Sequence, residues 1–409
     1  MQIKNILDID VAGKKVLFRP DINSPIDANG KITNTNRLEA VAPTLKYLLD
    51  GGASVGIIAH QGDTLDYQNL ISLEEHASIL SKLVGTKVEY IDDVCGDRAI
   101  EKIKALKPGE AILLGNLRYL TEEVSTFEKD VKLHKNEMGG VYLVRRLKGL
   151  FDIYVNESFS AAHRNAPSLV AFPQIMPSYA GPLFFKEYEA LSNIMKGAKK
   201  PVVFVLGGAK ISDAFGMMEN VLKNGIADKI LACGVTGQIM LIAKGIELGK
   251  TYVDWLKGKD LLVFVEQAKK LLSSYGDQFV LPVDLAFEKD GVRKEVSVND
   301  LPADDVMLTD IGSKTIEIFK NEIMRAGTVF SNGPAGVYEK EASANGTRGI
   351  WKAFSEAKGY TVIGGGDTVA SASKFIDIGS IDYVCTAGGA MVRFLSGKVL
   401  PMIDAMTSK

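Results

Sequence analysis

Short apolar runs alternate with longer stretches of helical period along almost the whole chain. In its first part the runs are "KVLFRP" (15–20), "SVGIIAH" (54–60), "KVEYID" (87–92), "EAILLGN" (110–116) and "FDIYVN" (151–156). Each is brief and rich in Val, Ile and Leu, the pattern of strands covered on both faces. Between them, "NRLEAVAPTLKYLLDGG" and "SLEEHASILSKLVG" space their apolar residues three and four apart, as one face of a helix does. The second stretch ends in Gly85, a residue that commonly stops a helix. The rhythm returns after Pro201 with "PVVFVLGG" (201–208), "KILACGV" (229–235), "QFVLPVDLAF" (278–287), "GTVFSNGP" (327–334), "YTVIGGG" (360–366) and "DYVCTAGGA" (382–390), all read as buried strands.

Buried strands separated by helices predict an α/β protein. We expect two Rossmann-like domains, each a mainly parallel sheet with helices on both faces. The bridge "FPQIMPSYAGPLFFKEYEALSNIMKGAKKP" (172–201) is proline-rich at its start and helical from about Leu183. The expected domains are therefore 1–180 and 181–394, joined by a hinge helix over about 183–197.

Composition narrows the class. The 409 residues are 46% hydrophobic and 24% charged, with a formal net charge of −2, as in ordinary globular proteins. That balance argues against a nucleic-acid binder, and no apolar run is long enough to span a bilayer. Cys95, Cys233 and Cys385 lie far apart and match no metal-ligand spacing, so they read as buried thiols in a reducing compartment. A cytoplasmic location is the expectation.

Parallel sheets bind ligands at the carboxyl ends of their strands, so the residues after each strand are the ones to examine. In the first half these are Asp21 and Asn23, then His60, Arg118, and the segment ending His163-Arg164, with Arg37 opening the first helix. Arginine grips carboxylate and phosphate through two parallel hydrogen bonds, so a small polyanion is the expected ligand. In the second half the strand ends carry glycines instead: "GGAKISD", "CGVTG", "SNGPAG", "GGGDT" and "TAGGA". Glycines let backbone N–H groups approach phosphate at helix N-termini, which predicts a nucleotide. Lys210 is the one cation among them. Asp367 falls where a Walker-type loop would carry lysine, and a carboxylate there suits Mg²⁺ bound through phosphate oxygens. Taken singly, each residue has a plainer reading: Asp367 as a helix cap, Lys210 as a solvated lysine, the histidines and arginines as structural partners. Their joint placement at strand ends favours function.

These residues resemble those of phosphoglycerate kinase nearly end to end. "LFRPDINSPID", "LLGNLRYLTEE", "YVNESFSAAHR", "YAGPLFFKEYEAL", "VLGGAKISD", "TDIGSKT", "VFSNGPAGVYE", "IGGGDT" and "TAGGA" each resemble a family block, in family order. "AHQG" and "FVLGGAK…ENVLKNGIADKIL" are most similar to the archaeal branch. The resemblance implies two domains around a cleft that closes, with the chain from about 395 to 409 packing back on the first. It implies reversible phosphoryl transfer between 1,3-bisphosphoglycerate and ADP, giving 3-phosphoglycerate and ATP with Mg²⁺. It places the glycerate on Asp21, Asn23, Arg37, His60, Arg118 and Arg164. Lys210, Asn332, Glu339, Gly365, Gly366, Asp367 and Thr368 would hold the nucleotide, with Glu339 at the ribose and Asp367 at the metal. Arg37 and Lys210 are the expected stabilisers of the transferring group. A monomer or small homo-oligomer would suffice.

Three positions depart from the family pattern. Asp63 stands where the family carries an arginine, Ala214 where many members carry a second lysine, and Ala387 where a glycine is usual. Two competing readings follow. A non-catalytic nucleotide-binding paralogue would have lost substrate capture through Asp63, though it would not need the retained arginines. A dinucleotide-dependent dehydrogenase would want Gly-x-Gly-x-x-Gly after a strand, for which no convincing instance exists.

Overall fold

The computed structural model describes residues 3–63 and 69–407. It divides into two compact units, residues 1–189 with 399–409 and residues 190–398. The loop after Asp63, over Thr64–Gln68, lies outside the described residues.

The first unit is built on six parallel strands: β1 (Lys15–Pro20), β2 (Ser54–Ile57), β3 (Val88–Tyr90), β4 (Ala111–Leu113), β5 (Ile153–Glu157) and β6 (Ser178–Ala180). Their order across the sheet is β3-β4-β2-β1-β5-β6. Val16, Leu17 and Phe18 of β1 are all fully buried, so both faces of this strand are covered. That explains why the sequence shows a continuous apolar run instead of alternation. Between β1 and β2 runs the helix Asn36–Asp50, which turns Leu38, Leu45 and Leu48 onto the sheet. The helix Glu74–Val84 ends at Gly85 with φ +73°, the left-handed stop read from the sequence.

The second unit repeats the plan with β7 (Val202–Leu206), β8 (Lys229–Ala232), β9 (Phe279–Val280), β13 (Thr328–Asn332), β14 (Tyr360–Gly364) and β15 (Tyr383–Cys385). Its parallel order is β15-β14-β13-β7-β8-β9. Inserted between β9 and β13 is a small antiparallel sheet of β10 (Asp284–Lys289), β11 (Val292–Ser297) and β12 (Leu308–Ile311). Here the sequence expectation needs correction, because 278–287 is not one buried strand. Pro282 separates β9 from β10, and β10 then leaves the parallel sheet to pair with β11. Asp290 and Gly291 turn this hairpin with φ +55° and +76°, the left-handed pair that an Asp-Gly turn supplies.

The helix Pro182–Lys196 carries the chain across the division at 189/190. Its first turn is capped within unit one by Glu157, at the end of β5. That buried carboxylate accepts the N–H groups of Leu183 at 3.1 Å and Phe184 at 2.9 Å, and the Thr44 hydroxyl at 2.5 Å. The returning segment docks on the same unit through Met402 N–H to the Ala162 carbonyl and through Lys135 to Asp404 at 2.6 Å.

Candidate functional site

In each unit the strand order reverses at one point, where adjacent strands send their chains to opposite sides. Crevices form there, outside the strand ends. In unit one this point lies between β1 and β5, and it holds a cavity of about 200 Å³. Asp21, Asn23, Arg37, His60, Arg118 and Arg164 all line it. Asp21 follows β1 and accepts from Arg37 at 2.5 Å and from the Ser160 hydroxyl. Asn23 takes the Gly62 N–H at 3.0 Å, tying the loop after β1 to the loop after β2. Arg118 is spent partly on structure, donating to the Gly62 and Glu123 carbonyls at 3.2 and 2.5 Å. Arg164 donates to Glu128 at 2.6 Å, while its Nη2 is buried with no partner among the described residues.

Arg19 and Glu123, also on the cavity wall, escaped the sequence reading. Both are almost fully buried. An arginine inside an apolar strand was the available signal, since such a residue is almost never buried without a partner. Four guanidinium groups therefore face two carboxylates, which leaves an excess of positive charge in a confined space. Burial, with the charges of Arg164 and Arg19, lowers the Arg118 pKa to about 10. Burial, then Arg19, Arg118, Arg164 and Arg37, holds His60 well below the usual imidazole value. Cations packed at such cost suit an anionic ligand that relieves their repulsion.

The second unit offers a cavity of about 370 Å³ at the ends of β7, β8 and β13, within the usual range for small-molecule sites. Glycines 208 and 234 form part of its wall, and Glu339 and Asp367 stand at it. Glu339 is exposed in a turn. Beside it, the helix Gly366–Phe375 begins after Gly365, which has φ +102° and whose added Cβ would lie 2.6 Å from the Asn332 amide nitrogen. Asn332 in turn donates to the Gly364 carbonyl at 2.7 Å, joining the ends of β13 and β14. Thr368 is buried and accepts the Gly333 N–H at 2.7 Å, so it shapes the loop. Lys210 precedes the helix Ile211–Lys223 and lies 3.6 Å from Asp367, both side chains about 70% exposed. Such an exposed pair is weak, so each partner is available to a ligand. The apolar part of this cavity, with Tyr252 stacked on Trp255 at 5.5 Å, was not anticipated. Their helix shows only ordinary amphipathic spacing in sequence.

The sequence profile of the family described as phosphoglycerate kinase matches residues 6–398. The chain belongs to the phosphoglycerate kinase family. Among curated relatives, a phosphoglycerate kinase of Pyrococcus furiosus is 41% identical over 98% of this chain and 96% of its own. That of Sulfurisphaera tokodaii is 42% identical over 99% and 95%. The solved phosphoglycerate kinase of Pyrococcus horikoshii superposes with TM-score 0.85 at 38% identity, covering 99% of this chain and 98% of that one. A Coxiella burnetii phosphoglycerate kinase structure gives TM-score 0.85 at 31% identity.

Against the family pattern, Asp63 is exposed and is not among the residues lining the unit-one cavity. It is near enough to Arg118 to favour that residue's charged form. Ala214 is buried in the helix after Lys210, and Ala387 is the residue before the helix Gly388–Leu395. No cluster of three or more His, Cys, Asp or Glu side chains able to hold a metal occurs among the described residues. A single exposed carboxylate fits Mg²⁺ that arrives with nucleotide phosphates, since this ion keeps most of its other ligands from phosphate and water.

Proposed function

We propose that the unit-one cavity binds the glycerate substrate, that the unit-two cavity binds the nucleotide, and that these are the two ends of one transfer. The reaction is reversible phosphoryl transfer between 1,3-bisphosphoglycerate and ADP, giving 3-phosphoglycerate and ATP. The observation that carries the assignment is the cluster of four guanidinium groups on one small cavity, against a glycine-bearing rim on the other.

When ATP is consumed the acceptor is a carboxylate, already ionised at neutral pH, so no general base is required. What remains is positioning and neutralisation of charge on the transferring group. Arg37, nearly half exposed and held by Asp21, supplies one mobile cation, and Lys210 supplies another. Asn23, His60, Arg118 and Arg164 orient the substrate. Asn332, Gly365, Gly366 and Thr368 shape the rim from which backbone N–H groups reach phosphate, and Glu339 accepts the ribose hydroxyls. Asp367 would hold Mg²⁺, whose charge would neutralise the phosphates. Each ligand has its own unit, so in-line transfer requires that the two be brought together, with water excluded from the acyl phosphate.

Both cavities lie within one chain, which supports a monomer or a small homo-oligomer as the working form. The three buried free cysteines support a reducing, cytoplasmic setting. No helix among the described residues is long and apolar enough to cross a membrane.

The test is a coupled assay of 3-phosphoglycerate phosphorylation by MgATP, run beside Asp367→Ala. Turnover that falls about a hundredfold or more in the variant supports the assignment. A native chain that binds ATP without turning over 3-phosphoglycerate would favour the non-catalytic paralogue.

A further inference from the structure

Arg19 is the most deeply buried cation on the unit-one cavity, 2% exposed at the end of β1. Three different groups fix its guanidinium. Nη1 donates to the Pro20 carbonyl at 2.7 Å, Nε to the Ser168 hydroxyl at 3.3 Å, and Nη2 contacts His60 Nδ1 at 2.9 Å. Ser168 passes the interaction on, since its hydroxyl and its N–H both donate to buried Glu123 at 2.7 Å. The arginine therefore sits in a cage with a carboxylate behind it, and has little freedom to turn.

Its contact with His60 decides a proton. A guanidinium has N–H donors and no acceptor, so Nδ1 must present its lone pair. A neutral ring that accepts at Nδ1 carries its hydrogen on Nε2. A doubly protonated ring would set two donors against each other at 2.9 Å. We propose that Arg19 is a positioning residue that locks His60 as the neutral Nε2–H tautomer, making it an uncharged hydrogen-bond donor to an anionic oxygen of the ligand in this cavity. The inference rests on the reading of that cavity as the glycerate site.

The surroundings agree with it. His60 faces Arg118, Arg164 and Arg37 as well as Arg19, and is itself buried, all of which oppose a second positive charge on the ring. Nε2 has no hydrogen-bond partner among the described residues. The division of labour is then clear: the arginines supply charge, while His60 supplies direction without adding to their repulsion.

Long-range proton–nitrogen NMR correlation on ligand-free, histidine-labelled protein tests the lock directly, with four histidines to assign. The expected result is an unprotonated Nδ1 and a protonated Nε2 for His60 from about pH 5 to about pH 8, the span in which an ordinary imidazole titrates. In Arg19→Gln the ring should stay neutral but lose its fixed tautomer, with Nδ1 becoming partly protonated at the expense of Nε2. A protonated Nδ1 in the native chain overturns the lock, whatever the cavity binds. Two further variants probe the donor even if Arg19→Gln fails to fold. The amide of Gln reaches towards Nε2 and that of Asn towards Nδ1. His60→Asn should therefore raise KM for 3-phosphoglycerate about tenfold more than His60→Gln, with kcat changing less, as for one hydrogen bond to a charged group. Equal losses in the two variants overturn the donor role. A correctly locked ring in a protein that does not bind 3-phosphoglycerate overturns the cavity assignment, and the donor role with it.

Discussion

The two units share a plan, parallel strands with a crevice where the strand order reverses, yet they furnish their crevices differently. Unit one lines its cavity with charged side chains held by other side chains: Asp21 grips Arg37, and Ser168 joins Arg19 to Glu123. Unit two lines its cavity with backbone, relying on Gly208, Gly234 and the helix start after Gly365, and adds an aromatic wall. The difference suits the size and charge of the two ligands proposed for them. A small polyanion offers little apolar surface, so recognition depends on forked cations set at fixed angles. A nucleotide brings a flat apolar base, and its phosphates are reached by N–H groups only where no Cβ intervenes.

The largest expected effect breaks the comparison at its charged side. Arg37→Ala should lower kcat about a hundredfold to a thousandfold, with MgATP affinity nearly unchanged. If only KM for 3-phosphoglycerate rose, Arg37 would be a binding group and not a stabiliser of the transferring phosphoryl.

A second expectation concerns the acid beneath unit one. Burial pushes Glu157 up to about 7 from its ordinary value of 4.5, against the donors of Thr44, Phe184 and Leu183 that restrain the rise. Between those two values the folded chain holds a proton that the unfolded chain has released, so the contribution of Glu157 to stability is full below about pH 4.5 and is lost as pH rises through 7, opposite in sign to that of the buried His60. That share should amount to about 3 kcal/mol, read as the difference between the pH profiles of the native chain and Glu157→Gln. Cys95 is the sole cysteine of unit one and is buried. Pulse labelling of Cys95 across a urea series at several pH values reads this transition.

The units can also be told apart by ligand. Both tryptophans, Trp255 and Trp351, lie in unit two, so tryptophan fluorescence reports that unit alone. MgADP at about a hundred times its Kd should stabilise the fluorescence-detected transition by about 2.7 kcal/mol. The same excess of 3-phosphoglycerate should act on Cys95 protection instead. Crossed effects of equal size would show that the two cavities do not each belong to one ligand.

Gly365→Ala sharpens the backbone side of the contrast. A Cβ at φ +102°, 2.6 Å from Asn332, should cost about 1–3 kcal/mol and raise KM for ATP with little change for 3-phosphoglycerate. A variant with native nucleotide affinity would remove this loop from the phosphate cradle.

How much of this was legible depended on whether a residue's neighbours in sequence betray its neighbours in space. The parallel strands were, because double burial writes itself as an unbroken apolar run. Gly85 and the helix Pro182–Lys196 were legible too, from local stop and start signals. The antiparallel insertion was not, although Asp290-Gly291 marked its turn; "QFVLPVDLAF" looks continuous, and only pairing partners reveal the break at Pro282. Arg19 was hidden by its own strand, and Glu123 by an ordinary acidic stretch. Tyr252 and Trp255 carried the spacing of any amphipathic helix, and their role depends on chain segments far away in sequence.

One feature of the chain path bears on how the protein is made. Unit two is continuous, residues 190–398, whereas unit one is interrupted by it and takes back residues 399–407 at the end. During synthesis the six strands of unit one leave the ribosome first, but the segment that seats Met402 and Asp404 against Ala162 and Lys135 follows only after all of unit two. The earlier-made half is thus the later to be finished. A nascent chain stalled just past residue 398 carries every element of unit two and an unclosed unit one, an order opposite to that of translation.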